Sequence, residues 1–257
     1  CNGMVRSGST LQYNRARVVV EQLGVGCGRA GLQAAVRRGA VPAYDDGSLA
    51  STDFATDAWT YVSHSHYLDA GFVDVQDAAE AGRRGGLKVL YVHRDLRDVV
   101  ASMKRAWSMD WAACCDILDR VEENYDFTRR HLHTDWVFVQ RYEGLVRNLP
   151  RAVDGITVAL GIELPRGMSA RVARECSVAR AEEVTRGLRT QMVENRDALF
   201  GADSLIRERM AGLVTNMHYN HISPTRGASG VWRAQLTSDE VEQATRRCGQ
   251  WMAELGY

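Results

Sequence analysis

Eight residues near the start of the chain have the spacing of a loop that binds phosphate groups. The segment GMVRSGST occupies residues 3–10 and follows the pattern glycine, four residues, glycine, one residue and then a hydroxyl residue. Ser9 stands where nucleotide triphosphatases carry lysine, and the cation is Arg6 instead. The segment therefore predicts an anion site for a nucleotide other than ATP, while an ordinary Gly-Ser turn before a helix is the alternative.

A second candidate segment combines the end of a strand with a charged turn. In YVHRDLRDVVAS, residues 91–102, Arg94 lies at the carboxyl edge of a predicted strand, where open α/β sheets bind ligands. Ser102 lies two helical turns further on and could share an anion with Arg94. The alternative is a salt-bridged helix start, with Arg94 and Arg97 paired to Asp95 and Asp98.

A third segment, TRGASGVWR at residues 225–233, is a glycine-rich basic loop before an amphipathic helix. Its backbone amides, including that of Gly227, and the Arg226 side chain could bind a phosphate. A surface loop next to a buried tryptophan is the alternative interpretation.

The candidate segments lie between predicted strands and helices that alternate along the chain. This alternation predicts a parallel sheet covered by helices on both faces. The predicted strands are Trp59–Val62, Lys88–Val92 and a buried one at Trp136–Val139. Asp95 is a predicted helix N-cap, and Thr237 with Glu240 forms a predicted capping box. Predicted helices include Thr10–Leu23, Trp111–His131, one through Val153, Val158 and Leu160, and a final one that ends before Gly256.

Composition limits the classes of function. The chain has 257 residues and a formal net charge of zero, so no overall basic field favours nucleic acid or an anionic membrane. Six cysteines without metal-binding spacing, and no secretory or membrane-spanning segment, predict a cytoplasmic protein with reduced thiols. Arginine far outnumbers lysine, which indicates a GC-rich bacterial source. The chain begins with Cys1, so we expect part of the first strand to precede it.

The candidate segments, in this order, resemble the PAPS-dependent sulfotransferases. VRSGST at residues 5–10 is similar to that family's 5′-phosphosulfate loop, PKSGTT or PRSGTT. Residues 94–102 keep the eight-residue interval between Arg and Ser of its RDPRDVxxS segment. Residues 226–232 follow its RKGxxGxW loop from the second position, and RYEGL at 141–145 is similar to its RYEDL segment.

The resemblance implies a P-loop-like α/β fold, a three-layer sandwich with a central parallel sheet and a helical cap segment. Residues 1–257 would form a single domain in which 165–225 are a helical acceptor-side segment. The reaction would move a sulfuryl group from PAPS to a hydroxyl of a small-molecule, carbohydrate or lipid acceptor, giving PAP without a metal ion. The residues expected to bind the donor are Arg6, Ser7, Gly8, Ser9, Thr10, Arg94, Ser102, Arg226 and Gly227.

A histidine pair supplies the expected base. The family has a Lys-x-His pair after a strand, and SHSH at residues 63–66 keeps that spacing with His64 in the lysine position. Because imidazole titrates near neutral pH, His66 is the expected base for the acceptor hydroxyl, and His64 is the base in an alternative register. Arg6 completes the expected catalytic set by neutralising the leaving phosphate. A metal pair or structural histidines are the other interpretations.

Several departures from the family pattern leave other functions open. The departures are Val5 for Pro, Arg6 for Lys, Leu96 for Pro, Gly144 for Asp, and Thr225 for an Arg that often contacts the 3′-phosphate. A nucleotide kinase or NTPase is one alternative, although it requires the loop lysine. A non-catalytic nucleotide-binding domain is another, and it would not need His64 or His66. The oligomeric state, including a homodimer, stays open.

Overall fold

Three parallel strands form the described sheet. The computed structural model describes residues 1–23, 66, 88–131, 134–183, 186–187 and 223–257. The strands are β1 (Asn2–Gly3), β2 (Val89–His93) and β3 (Val137–Arg141), in the order β1-β2-β3. Both pairings are parallel, which confirms the predicted arrangement and brings the segments that follow the strands to one edge. The predicted strand Trp59–Val62 lies outside the described residues.

Eight helices of four residues or more are bounded within the described ranges. They are α1 (Ser9–Leu23), α2 (Leu96–Trp107), α3 (Trp111–His131), α4 (Tyr142–Arg147), α5 (Leu149–Leu160), α6 (Met168–Glu175), α7 (Trp232–Gln235) and α8 (Ser238–Glu254). The predicted helices near residues 10–23, 111–131, 153–160 and 238–254 are confirmed. None of the helices described is both long enough and apolar enough to cross a membrane.

Alternate residues of β2 face two different helical layers. All five of its residues are buried. Tyr91 packs into a cluster with residues of α2, α3 and α8, whereas Leu90 packs with residues of α1 and α5. Because successive side chains of a strand point to opposite faces, helices cover both faces of the sheet. The sheet edge is therefore the place where a ligand can reach the strand ends.

Side-chain caps fix where two of the helices begin. The Asp95 carboxylate accepts a hydrogen bond from the N–H of Arg97 and starts α2. Thr237 and Glu240 bond reciprocally to each other's backbone N–H and start α8. Both predicted caps are confirmed, and each satisfies N–H groups that lack partners inside the helix.

The prediction that the strand ending near residue 139 is buried is wrong. β3 has only half-buried and exposed residues, and Val139 is 45% exposed. The physical reason is position, because β3 lies at the outer edge of the three described strands. An apolar run predicts a strand but does not reveal whether another layer covers it.

The predicted acceptor-side segment, residues 165–225, is described only in part. It includes α6 and a helical stretch at 178–183. Val172 and Ala173 of α6 pack against Val18 and Val19 of α1. This packing attaches the start of the segment to the helix that follows the first loop.

A buried histidine links β2 to the end of the chain. His93 is 6% exposed, and its Nδ1 lies 3.1 Å from the hydroxyl oxygen of Tyr257. That hydroxyl donates to Glu143, 3.1 Å away, so its oxygen accepts from His93 and Nδ1 carries the ring proton. Burial, followed by the nearby Arg141 guanidinium, lowers the pKa of His93 to about 4.

We expect acid to destabilise the protein through His93. Between pH 6.5, its ordinary pKa, and about 4, the unfolded chain binds a proton that the folded ring excludes, so stability falls as the pH falls. The loss is about 1.4 kcal/mol per pH unit across that window. His93→Asn keeps an amide donor near Nδ1 and does not titrate. Urea unfolding at pH 7, 5.5 and 4.5 should show a shallower pH dependence in the variant, and parallel curves would contradict the assignment.

Candidate active site

The first loop, residues 3–8, turns tightly from β1 into α1. The N–H of Ser7 donates to the carbonyl oxygen of Met4 at 3.2 Å, and the Ser7 hydroxyl oxygen lies 2.7 Å from the same atom. Arg6 and Gly8 both have positive φ angles, of 62° and 89°. Ser7 therefore uses its polar groups to shape the loop. The N–H groups of the first turn of α1, which begins at Ser9, have no partner within the helix, as an anion site requires.

The side chain of Arg6 reaches the second candidate segment. Its Nε donates to the Ser102 hydroxyl oxygen at 3.1 Å, and its guanidinium carbon lies 5.2 Å from the centre of the Trp107 ring. Ser102 is 4% exposed. The first loop and α2 thus meet directly through side chains that are 96 positions apart.

Arg94 joins the first loop to the late loop, residues 223–231. Its Nη1 donates to the carbonyl oxygen of Arg6 at 3.3 Å, and its Nη2 donates to that of Ala228 at 3.0 Å. The guanidinium also lies 4.2 Å from the centre of the Tyr142 ring. Arg94 is only 7% exposed. Arg94 therefore holds the first loop and the late loop together.

Asp98 anchors the other end of the late loop. Its two carboxylate oxygens accept hydrogen bonds from the N–H groups of Gly230, at 2.7 Å, and Trp232, at 3.0 Å. Arg94 Nη2 lies 3.7 Å from one of the same oxygens. The salt-bridged alternative for this segment is thus also realised, because Arg97 contacts Asp95 with two hydrogen bonds.

Tyr142, the first residue of α4, lies between the first loop and the late loop and contacts both. Its hydroxyl donates to the carbonyl oxygen of Gly227 at 2.8 Å, and burial raises its pKa, so the proton stays on the phenol. A Cβ atom on Gly8 would lie 2.8 Å from the Tyr142 ring, and one on Gly227 would lie 2.6 Å from its hydroxyl oxygen. Both glycines also have positive φ. The loops therefore need glycine at these positions to close on Tyr142.

His66 is held against the end of β1. Its Nδ1 lies 3.0 Å from the carbonyl oxygen of Gly3. A carbonyl can only accept, so Nδ1 carries the proton of the neutral ring and Nε2 is the basic nitrogen. The second histidine of the pair, His64, lies outside the described residues.

These groups surround one cavity of about 230 Å³. The predicted site residues that line it are Arg6, Gly8, Ser9, Thr10, His66, Arg94, Ser102, Arg226 and Gly227. Ser7 is absent from the lining described. The Arg226 side chain is 62% exposed, and its guanidinium pairs with Glu182 at 3.0 Å, in the helical stretch at 178–183. Residues from α1, residues from 175–181, and Val5, Trp107, Tyr142, Ser223 and Thr225 also line it.

Two residues that organise the site, Tyr142 and Asp98, were not among the predicted site residues, because the sequence placed Tyr142 only within RYEGL and Asp98 only in the salt-bridged alternative. Tyr142 directly follows β3, and its place at a strand end was the signal that could have identified it. Asp98 lies four residues after Arg94, a helical spacing that brings the two side chains together. Its bonds to the late loop are 132 and 134 positions away and leave no local pattern.

Comparisons with known proteins show the fold. No family model matches the sequence, and no curated protein matches it. Among solved structures, the chain is similar to retinol dehydratase in a crystal structure of its complex with androsterone and the inactive cofactor PAP. The TM-score is 0.55 at 13% identity, and the match covers 98% of this chain and 78% of that chain. The chain has a P-loop-like α/β fold with a central parallel sheet.

Asp98→Asn should release the late loop. The amide replaces one acceptor oxygen with an NH₂ group that faces a backbone N–H, and losing a hydrogen bond to a buried charge costs roughly 1.5–3 kcal/mol. We expect hydrogen exchange measured by NMR to show faster exchange at the amides of Gly230 and Trp232. The exposed Asp116 on α3 offers the matched control, Asp116→Asn. Unchanged protection of both amides would show that Asp98 does not anchor the loop.

Proposed function

We propose that this protein is a PAPS-dependent sulfotransferase, which moves a sulfuryl group from PAPS to a hydroxyl of a small-molecule, carbohydrate or lipid acceptor. The proposal rests on the fact that the three candidate segments meet at one cavity. The first loop, the strand-end segment with Arg94 and Ser102, and the late loop all line one cavity. A donor with two separate phosphate groups needs more than one such anion-binding element. PAP, which the structurally similar protein binds, is the product that this reaction would release.

In this proposal the first turn of α1 and Arg6 bind the 5′-phosphate end of the donor. The backbone N–H groups near Ser9 and Thr10 stabilise negative charge on the phosphate as the bridging S–O bond breaks. Arg94 and Ser102, with the Arg226 guanidinium and the backbone N–H of Gly227, bind the 3′-phosphate. Ser7 contributes through the loop conformation that its own hydrogen bonds maintain. No metal ion is invoked, because the arginines and amides supply the positive potential.

His66 is the proposed base. Its Nε2 takes the proton of the acceptor hydroxyl as that oxygen forms a bond to sulfur, and the electron pair of the broken S–O bond leaves with PAP. The hydrogen bond from Nδ1 to Gly3 holds the ring in the tautomer that this step needs. His64 is kept as the base of the alternative register.

Nucleotide selectivity tests the proposed donor. We expect the protein to bind PAP in the presence of EDTA and to bind it at least about tenfold better than ADP or ATP, which lack a 3′-phosphate and its charged hydrogen bonds. Isothermal titration calorimetry at constant ionic strength measures the three affinities. A strict requirement for Mg²⁺ with preference for ATP would instead identify a nucleotide kinase or NTPase.

His66→Asn should separate catalysis from binding. An asparagine amide can donate to Gly3 as Nδ1 does but cannot act as a base near neutral pH. We expect turnover to fall roughly a hundredfold, with PAP affinity nearly unchanged. The assay follows PAP release from PAPS with an acceptor that the wild-type protein uses, chosen from phenols, sugars and steroid alcohols such as androsterone.

His64→Asn is the matched control for that experiment. Retained turnover in this variant, with loss in His66→Asn, assigns the base to His66. The reverse result would assign it to His64. Normal turnover in both variants would remove the histidine pair from the mechanism.

A further inference from the structure

A pair of hydroxyl groups in the late loop has a defined donor and acceptor. Ser223 and Thr225 both line the cavity, and their hydroxyl oxygens are 2.7 Å apart. Only one of the two can donate in this contact. The direction of that hydrogen bond decides which hydroxyl keeps a proton to offer to a ligand.

Arg105 decides the direction. Its Nη2 donates to the Ser223 hydroxyl oxygen at 2.9 Å, and the N–H of Thr225 donates to the same oxygen at 3.2 Å. A hydroxyl oxygen has two lone pairs, so these two donors occupy both. Ser223 must therefore donate its own proton, and the Thr225 oxygen must accept it. The proton of Thr225 is then directed away from Ser223.

The position of Arg105 is itself fixed. It lies on α2, three residues after Ser102, and its Nη1 donates to the side-chain oxygen of Gln235 at 3.0 Å. The guanidinium thus connects α2, the late loop and α7. Arg105 does not line the cavity described, so it acts through Ser223 and as a nearby positive charge.

The Ser102 hydroxyl, like that of Thr225, accepts a hydrogen bond from a neighbouring side chain. Its hydroxyl oxygen accepts from Arg6 Nε at 3.1 Å. Within the described residues no other group bonds to this hydroxyl, and the only such group at the Thr225 hydroxyl is Ser223. Two cavity hydroxyls are therefore each engaged as acceptors by neighbouring groups and keep their protons for a further acceptor. A ligand atom that bonds to either hydroxyl must be an acceptor, and an anionic oxygen is the strongest one.

We propose that Thr225 and Ser102 form an anion subsite in which hydroxyl groups donate to the ligand, with Arg105 as the residue that orients Thr225. The identity of the anion rests on the proposed function, in which it is the 3′-phosphate of PAP. Arg105 is thus a positioning residue that determines specificity for a nucleotide with a 3′-phosphate.

The test compares PAP with ADP, which lacks the 3′-phosphate, by isothermal titration calorimetry. Thr225→Val removes the hydroxyl without changing the shape of the side chain. We expect PAP affinity to fall about tenfold, the loss typical of one hydrogen bond to a charged group, while ADP affinity stays constant. Thr225→Ser should restore most of the PAP affinity. Constant ADP binding also shows that the variant is folded.

A double-mutant cycle tests the role of Arg105. Arg105→Met keeps the apolar stem and removes the donors, so PAP affinity should fall several-fold, whereas Arg105→Lys should retain most of it. Combined with Thr225→Val, the methionine variant should lose less than the sum of the two single effects, because both act on the same hydrogen bond. Lys104→Met, on the adjacent residue that pairs with Glu240, is the control and should leave both affinities unchanged.

The outcomes distinguish the two proposals. If the wild-type protein binds PAP no better than ADP, the 3′-phosphate site and the proposed function are both overturned. If it prefers PAP and Thr225→Val keeps that preference, only the hydroxyl subsite is overturned. If Arg105→Met weakens PAP and ADP equally, or its effect adds fully to that of Thr225→Val, Arg105 does not orient Thr225.

Discussion

A buried ion pair between Arg94 and Asp98 is the interaction on which the candidate site depends. The two residues are 7% and 1% exposed. Removing such charges from water costs several kcal/mol for each ion, and their mutual attraction alone does not repay that cost. Backbone groups of the two loops and of α7 supply further compensation, because Arg94 donates to two carbonyl oxygens and Asp98 accepts from two N–H groups. Any movement of the late loop away from α2 would therefore leave buried charge unsatisfied.

This constraint explains why small residues are required around Tyr142. The hydrogen bonds of Arg94 to Arg6 and Ala228 hold the two loops together, and the Tyr142 ring lies 4.2 Å from the Arg94 guanidinium carbon and contacts both loops. A Cβ atom on Gly8 or Gly227 would approach that side chain to less than 3 Å. The cavity thus owes its shape to charge satisfaction and to close packing together. Neither the loop sequence nor the aromatic residue determines it alone.

Local features of the fold could be predicted from the sequence, whereas the contacts that build the site could not. The helix Trp111–His131 has its predicted bounds, and the Thr237 capping box is present, because periodicity and caps are short-range properties. Val158 shows the limit of periodicity, since it fits the apolar pattern of its helix but is 79% exposed. The bonds of Asp98 and Arg105 to the late loop join residues more than a hundred positions apart. Such long-range contacts produce no pattern in the local sequence.

The geometry also gives a reason for arginine at position 6. A guanidinium presents five N–H donors in a fixed plane, whereas a lysine ammonium presents three from one point. Arg6 contacts Ser102 through Nε, and a guanidinium so placed can direct its terminal nitrogens to a different partner. A lysine that contacted Ser102 would have its other two N–H donors on the same nitrogen, close to that hydroxyl. The arginine therefore allows one side chain to polarise the α2 hydroxyl and to contribute positive potential at the first loop, where the proposed reaction develops negative charge.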